Sequence, residues 1–400
     1  MIRVECVREA DKLKSLTSDF DRLSNGATMR RLSWLMPWWD AYQATHRLHV
    51  LVAYRGESVC GIFSLAETHS ALTGRSLVFL GSGKVCSDDL GILADSSDVE
   101  EVAVAFATWL IQSPDCCRWD QLDLDGVRED NPVMAHFGEC MEALSGLQIN
   151  RQPSPNCWAA PLNGGLEAYR NRLTKRARKI VCEAEAAIDS GKGVLEIAQS
   201  SEQALEFVCD IEKMHQARWK ERGIHGCFST KEFTSFLNEA IRCMWHDPWE
   251  TSTGVASNGG RDLSVESKQR VIVALVRIDG AVAAGSICFR DHDAIAMYLV
   301  GMNPKFAELR PGWMLNTCII KHAIEQRCTK LDFMRGDEEY KGRLGGVPSV
   351  QHRWLVPSNR MVSQMRNIAY QTAVGLKSWW NTKNVDKETS RVAELAKSSE

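Results

Sequence analysis

VIVALVRIDGAVAAGSICFRDHDAIAMYLVGMNPKFAELRPGWMLNTCIIKHAIEQRCTKLDFMRGD, residues 271–337, decides the architecture. Val271–Val276 is a short apolar run, and Asp279-Gly280 after it is a strong two-residue hairpin signal. Ala281–Phe289 is the return strand. Past the polar Arg290-Asp291-His292-Asp293, a third strand covers Ala294–Val300 and stops at Gly301. Arg310-Pro311-Gly312 leads into an apolar-periodic helix over Trp313–Gln326, and a last strand, Lys330–Met334, runs into Arg335-Gly336-Asp337. The order is three antiparallel strands, a loop, a helix and a parallel return strand.

The same order occurs earlier in worn form. HVLVAYRGESVCGIFSL (49–65) corresponds to VIVALVRIDGAVAAGSICF (271–289), and RWDQLDLDG (118–126) to CTKLDFMRG (328–336). Between them lie a strand at Leu77–Leu80 and a helix at Val102–Ile111. A repeat near half the chain length predicts two similar α/β domains with mixed sheets flanked by helices, not a solenoid. The divisions expected are 1–161, 162–360, and a terminal helix with a charged tail over 361–400. Pro153-Ser154-Pro155-Asn156 and Leu162-Asn163-Gly164-Gly165 break the pattern near the first boundary.

In the second half, Leu166, Tyr169, Leu173, Ala177, Ile180 and Ala184 recur at three and four, predicting one helix with a buried stripe. A strand at Val194–Ile197 follows. Helices are expected over Ala204–Trp219 and Thr230–Met244, and a glycine- and serine-rich surface loop over Asp247–Arg270.

Composition bounds the rest. The net charge of −3 and mildly acidic balance argue against broad binding to a nucleic-acid backbone, and DNA is not expected as a partner. No apolar run reaches the ~18–20 residues that cross a bilayer. The first residues lack a signal peptide's apolar core, so a cytoplasmic protein is expected. The 14 cysteines show no Cys-x-x-Cys and no zinc-finger spacing with histidine, which reads as reduced core thiols and no metal. Gly81-Ser82-Gly83-Lys84 fails as a phosphate-binding loop, since Val78 and Val85 stand where glycine and Ser/Thr are required; it reads as a turn into Asp88-Asp89. The cations Arg170, Arg172, Lys175, Arg176, Arg178 and Lys179 read as a solvated helix face, with an RNA-binding reading kept beside it.

Two constellations carry chemistry. His215 and Trp219 are four apart and share a helix face that Arg218 borders. An imidazole there could take a proton near neutral pH. Asp332 alternates with Leu331 and Phe333 and points opposite to them. Asp337, Tyr340 and Lys341 follow it closely.

MHQARWKERGIHGCFS, IDGAVAAGSICFR, MYLVGMNPKFAELRPGWML and LDFMRGDEEYKGRLG together resemble the CelD/BcsL acetyltransferase-like family. The resemblance spans roughly residues 166–345 and, loosely, the first half. It implies two tandem GCN5-related N-acetyltransferase (GNAT) domains. Family members are bacterial and often accompany exopolysaccharide or cellulose synthesis systems. The tandem plan is also similar to Fem-type aminoacyl transferases, whose donor is aminoacyl-tRNA. The implied reaction moves an acetyl or related group from acyl-CoA to an amine or hydroxyl of a saccharide or related metabolite. Two alternatives stay open: a tRNA-dependent transferase, and an inactive GNAT scaffold in a polysaccharide-synthesis assembly.

The resemblance also implies roles. The strand Ala294–Val300 would splay from its neighbour to take pantetheine, with backbone N–H at Val300/Gly301 facing the oxyanion. Pyrophosphate would sit on the amides of Gly312, Trp313 and Met314, with Arg310 as cation. The usual Arg/Gln-x-x-Gly-x-Gly/Ala is here Arg-Pro-Gly-Trp-Met, one residue short. His215 or Asp332 would be the base and Tyr340 the acid. Arg218, Trp219, Asp337 and Lys341 would hold the acceptor. His215, Trp219 and Tyr340 are expected to line one cleft floored by Asp332, and the first domain is expected to be inactive.

Overall fold

A computed structural model of the protein describes residues 2–112, 119–221, 223, 225–247, 269–369 and 372. The first half contains β1 (Ile2–Val7), α1 (Ala10–Lys14), α2 (Thr17–Leu23), α3 (Leu32–Tyr42), β2 (His46–Leu48), β3 (Val50–Arg55), β4 (Ser58–Phe63), β5 (Leu65–Ser70), β6 (Gly74–Phe79), β7 (Ile92–Ala94), α4 (Val99–Gln112), β8 (Gln121–Arg128), α5 (Pro132–Ser145) and β9 (Asn150–Pro161). The second contains α6 (Gly165–Arg172), α7 (Lys175–Asp189), β10 (Val194–Ile197), α8 (Ser201–Glu221), α9 (Lys231–Trp245), β11 (Val271–Ile278), β12 (Ala281–Arg290), β13 (Ala294–Met302), α10 (Pro311–Glu325), β14 (Lys330–Arg335), α11 (Glu339–Arg343) and β15 (Val347–Pro357). A helix over 361–369 follows.

The mixed α/β architecture expected from the sequence is present. Asp279 and Gly280 both have positive φ, 51° and 78°, the backbone of the turn that joins tightly twisted strands. β11 and β12 pair from Ile278↔Ala281 outward, and β13 adds antiparallel to β12. β1-β3-β4-β7 form a small sheet. All the other strands form one sheet in the order β10-β11-β12-β13-β14-β9-β15-β8-β6-β5-β2.

The centre of that large sheet is an exchange of strands. β9, from the first half, lies between β14 and β15. β15, from the second half, pairs with β8 of the first. A chain cut between 161 and 162 would therefore take a central strand from each side. The prolines of β9 made it look like a break in sequence. Pro153 pairs opposite His352 where β9 has only β15 beside it, and a register shift between Ser349 and Gln351 accommodates Pro155. Proline survives in sheets at such edges and bulges.

The helix expected from Leu166 onward is two helices. Leu173 is extended, and the Thr174 hydroxyl accepts from the Ala177 amide to start α7 afresh. Arg178 closes the break by donating to the carbonyls of Arg170, Asn171 and Leu173. Arg172 bonds to the carbonyls of Pro161 and Asn163, and Arg170 pairs with the buried Glu185. Much of the basic run thus serves local structure. Of the loop expected at 247–270, residues 248–268 lie outside the described residues, as do the tail positions beyond 372.

Candidate functional site

β13 and β14 run parallel for three pairs only: Ala294↔Lys330, Ile295↔Leu331 and Ala296↔Asp332. Beyond them β13 stays with β12 as far as Met302, while β14 turns to β9 through Met334↔Trp158 and Arg335↔Cys157. The strands part at Ala296 and Asp332. Along this fork their facing edges lack ladder partners, which suits a ligand carrying amides.

Asp332 stands at the vertex. Its Oδ1 accepts the Met334 amide at 2.7 Å, and Met334 takes a positive φ of 59° to make that turn. Burial raises the carboxyl from 3.8 to about 7; neighbouring Asp88 and Asp291 add to the rise, and the Met334 amide and Lys330 oppose it. Asp332 lines a cavity of ≈ 290 Å³ between the halves, whose wall includes Asn25, Arg30, Asp88, Arg128 and Ala296.

The first half holds the diverging end of β14. Asp88, 7 % exposed, accepts the Arg335 amide at 2.7 Å and its Nε at 3.0 Å. Asp125 takes the same guanidinium at 2.7 Å. Asp337 accepts from Asn156 Nδ2 at 2.9 Å and Trp158 Nε1 at 3.0 Å, so β9 is tied down as well. Asp88, Asp125, Asn156 and Trp158 were not singled out by sequence as partners of this strand. The turn into Asp88-Asp89 was the one available signal.

Helix α8 covers the other arm. Gly285 and Gly301 pair across β12 and β13, and a Cβ on Gly301 would lie 3.1 Å from the Ile211 carbonyl. Gly301 is there so that α8 can lie directly on the sheet; beside it, the half-buried Val300 packs on the core under α10. One turn on from Ile211, α8 presents His215, Arg218 and Trp219. Arg218 has no ion pair among the described residues and lies close enough to Tyr340 to counter the rise that burial imposes on the phenol, which still reaches about 12.

The expected single cleft is not observed. His215 and Trp219 touch, Arg218 approaches Tyr340, but Asp332 opens into the cavity facing Asp88 and Asp291. Tyr340 packs on Phe333, the residue that points to the other side of β14. His215 also lacks a free basic nitrogen. Its Nε2 accepts the Trp219 indole at 2.8 Å, its Nδ1 is buried without a partner among the described residues, and burial lowers its pKa to about 4. Gly226 presses on the ring. Lys341, 2 % exposed, donates to the carbonyls of Met334, Arg335 and Gly336 at 2.8–3.1 Å and pairs with Glu338, so its ammonium is consumed. Asp337 is engaged as above.

The donor loop is more closed than expected. Trp313 and Met314 amides both turn back onto the Arg310 carbonyl, at 3.0 and 3.4 Å. Gly312 alone keeps an amide without a backbone partner among the described residues. Arg310 is left-handed, with φ 53°, and its guanidinium meets Glu183 at 3.5 Å in an exposed pair. The Met314 side chain is buried. Among the described residues no cluster of His, Cys, Asp and Glu could hold a metal, and all described cysteines are free.

Residues 169–342 match the family model described as Acetyltransferase (GNAT) domain. The chain resembles the crystal structure of FemX with a TM-score of 0.61 at 13% identity, over 90% of this chain and 99% of that one. It also matches L-PGS from Bacillus licheniformis (TM-score 0.47, 10% identity, 91% and 96% covered) and a tandem GNAT protein from the clavulanic acid biosynthesis pathway (0.45, 11%, 89% and 98%). No curated protein matches the sequence. The second half therefore carries a GNAT acetyltransferase domain, which makes the protein an acyltransferase, and the FemX likeness extends the shared fold across both halves. No described helix is long and apolar enough to cross a membrane.

Proposed function

We propose that the fork between β13 and β14 takes the pantetheine and thioester of an acyl-CoA, and that Asp332 is the general base for an amine or hydroxyl acceptor held in the cavity between the halves. One observation carries this: the strands diverge at a carboxylate whose pKa lies near 7, where a base is most useful. The acceptor nitrogen or oxygen attacks the thioester carbonyl and gives its proton to Asp332. Collapse breaks the C–S bond. Tyr340, kept protonated by its high pKa, returns a proton to the thiolate. Backbone N–H groups along the open edge of β13 steady the oxyanion. Arg218, with His215 and Trp219 beside it, approaches Tyr340 from α8 and makes the phenol a better proton donor. The acceptor class follows from the CelD/BcsL resemblance: a saccharide or related metabolite of exopolysaccharide assembly, in the cytoplasm.

The pyrophosphate end needs one rearrangement. An exposed ion pair such as Arg310–Glu183 contributes only ~0–1 kcal/mol, so a phosphate can displace it. Glu183→Ala should then tighten acetyl-CoA a few-fold, read by calorimetry. Absence of heat or thermal shift with acetyl-CoA and other acyl-CoAs would end the CoA reading. The internally bonded Trp313 and Met314 amides favour, as second reading, a donor without a CoA pyrophosphate, as in Fem-type transfer from aminoacyl-tRNA. Transfer from charged tRNA, with no response to any acyl-CoA, would select it.

A further inference from the structure

The helix over 361–369 is mounted inside out. Arg360, Ser363 and Arg366, three residues apart, face inward onto the buried Asp120, at 3.4, 2.7 and 3.1 Å. Asp120 also accepts the Arg75 amide at 2.9 Å. With the polar side fixed there, the opposite side points to solvent: Met361 is 77 % exposed, Val362 53 %, Met365 65 % and Ile368 65 %. Spacing of three and four keeps Met361, Met365 and Ile368 on one stripe. A soluble helix ordinarily does the reverse. Leu72, 51 % exposed, adds to this surface from the β5–β6 hairpin, whose Gly74 abuts Asp120 and Arg366.

The rim of this apolar surface is cationic. A small cavity beside the helix is lined by His69, Arg75, Asp120, Arg360, Val362 and Arg366. A second shares His69 and Arg75 and adds Arg47 and, opposite it across the strands, Glu67. The side chains of Arg75 and Arg47 have no ion pair among the described residues. The sequence continues the theme: from Ser358 to Val385 there is no Asp or Glu, while Arg360, Arg366, Lys377 and Lys383 are basic, and Leu376, Trp379 and Trp380 extend the apolar content.

We infer that this edge docks the protein onto a membrane surface rich in anionic lipid, with Met361, Met365 and Ile368 entering the headgroup boundary and Arg75, together with the one surplus positive charge of Arg360 and Arg366 over Asp120, facing lipid phosphates. An apolar stripe whose neighbouring cations outnumber the acids Asp120 and Glu67 fits an anionic interface better than it fits water. It fits a second copy of this chain less well, because the cationic rims would then face each other. The helix lies on the bilayer and does not cross it, and an enzyme so placed would work beside membrane-bound acceptors.

The test uses the full chain and two vesicle types: phosphatidylcholine alone, and phosphatidylcholine with about a third phosphatidylglycerol. Sedimentation should show binding to the second and little to the first, with release at about 1 M salt. The double variant Met365→Glu/Ile368→Glu should lose binding by about ten-fold or more, and Arg75→Ala by about five-fold. Both should keep the parent Tm, because the altered side chains are exposed. Failure to sediment with anionic vesicles overturns the inference. So does a fall in Tm for the double variant, which would mean that the chain covers the face itself. A dimer that the double variant splits, without vesicle binding, overturns it in favour of self-association.

Discussion

Each half of the molecule has a fork, and the two are built on the same rungs. In the first half β6 and β8 pair in parallel at Ser76↔Gln121, Leu77↔Leu122 and Val78↔Asp123. In the second, the pairs are Ala294↔Lys330, Ile295↔Leu331 and Ala296↔Asp332. Asp123 and Asp332 occupy the same vertex, and the repeated Leu-Asp-apolar sequence places them there. Their surroundings differ. Asp123 is gripped by Arg353 through two contacts of 2.6 Å, from the strand β15 that the second half lends to the first. Asp332 faces Ala159 of β9 across its rung as Asp123 faces Leu355 of β15, but among the described residues it has no cation within ion-pair distance. One carboxylate is neutralised and structural. The other is half-buried beside Asp88 and Asp291 and drawn up to about 7. An exchanged strand that brings an arginine to one vertex and none to the other is enough to make the halves unequal.

The largest effect expected on this comparison comes from Asp332→Asn. Turnover should fall by about 10²–10⁴, the usual share of one acid–base group, with donor affinity little changed. In the parent, rate should rise with pH through about 7 as Asp332 ionises, and the variant should lose that limb. The stability sign runs the other way. A carboxyl raised from 3.8 to about 7 on folding contributes stability that is complete below about 4 and lost as pH rises through about 7. Asp332→Asn should therefore raise Tm at pH 8 relative to its effect at pH 5. A variant with full turnover and an intact pH limb would place the base elsewhere.

His215→Ala should cost about ten-fold or less, through Trp219 and Arg218, and should leave the limb near 7 in place. With a pKa of about 4, the ring is neutral across that range. If instead the limb moved with His215 and not with Asp332, the comparison of the two vertices would lose its catalytic meaning.

Local signals made the strands and the fork legible. Asp279-Gly280, the period-two runs and the Arg310-Pro311-Gly312 helix start act within a few residues, and the structure keeps them. The misread parts depend on contacts far apart in sequence or on where a side chain points. β9 hid behind Pro153 and Pro155 because its ladder partners lie in β14 and β15. β15 itself drew no reading. Lys341 looked like a ligand for an anion because sequence does not reveal that the carbonyls of Met334, Arg335 and Gly336, at the end of β14 and just past it, already surround its ammonium. His215 looked like a base because spacing put Trp219 on its face without saying that the indole N–H would point at Nε2. Asp88, read as part of a turn, turned out to hold Arg335 across the halves.

The smallest effect on turnover, and the sharpest check on the vertex comparison, is Arg353→Gln. The guanidinium is 37 % exposed and Asp123 17 %, so the pair is screened on one side. Removing the cation leaves a half-buried carboxylate with a neutral partner, and the expected loss is about 1–2 kcal/mol, seen as a lower Tm. Turnover at saturating substrate should stay within about two-fold, since this fork takes no part in the proposed chemistry. Arg353→Gln combined with Asp123→Asn should recover part of the lost Tm, because no charge is then left unpaired. Recovery of stability with unchanged turnover would assign the first vertex to structure alone. A loss of turnover in a well-folded Arg353→Gln protein would mean that the first fork also meets the substrate, and the division of labour between the halves would have to be redrawn.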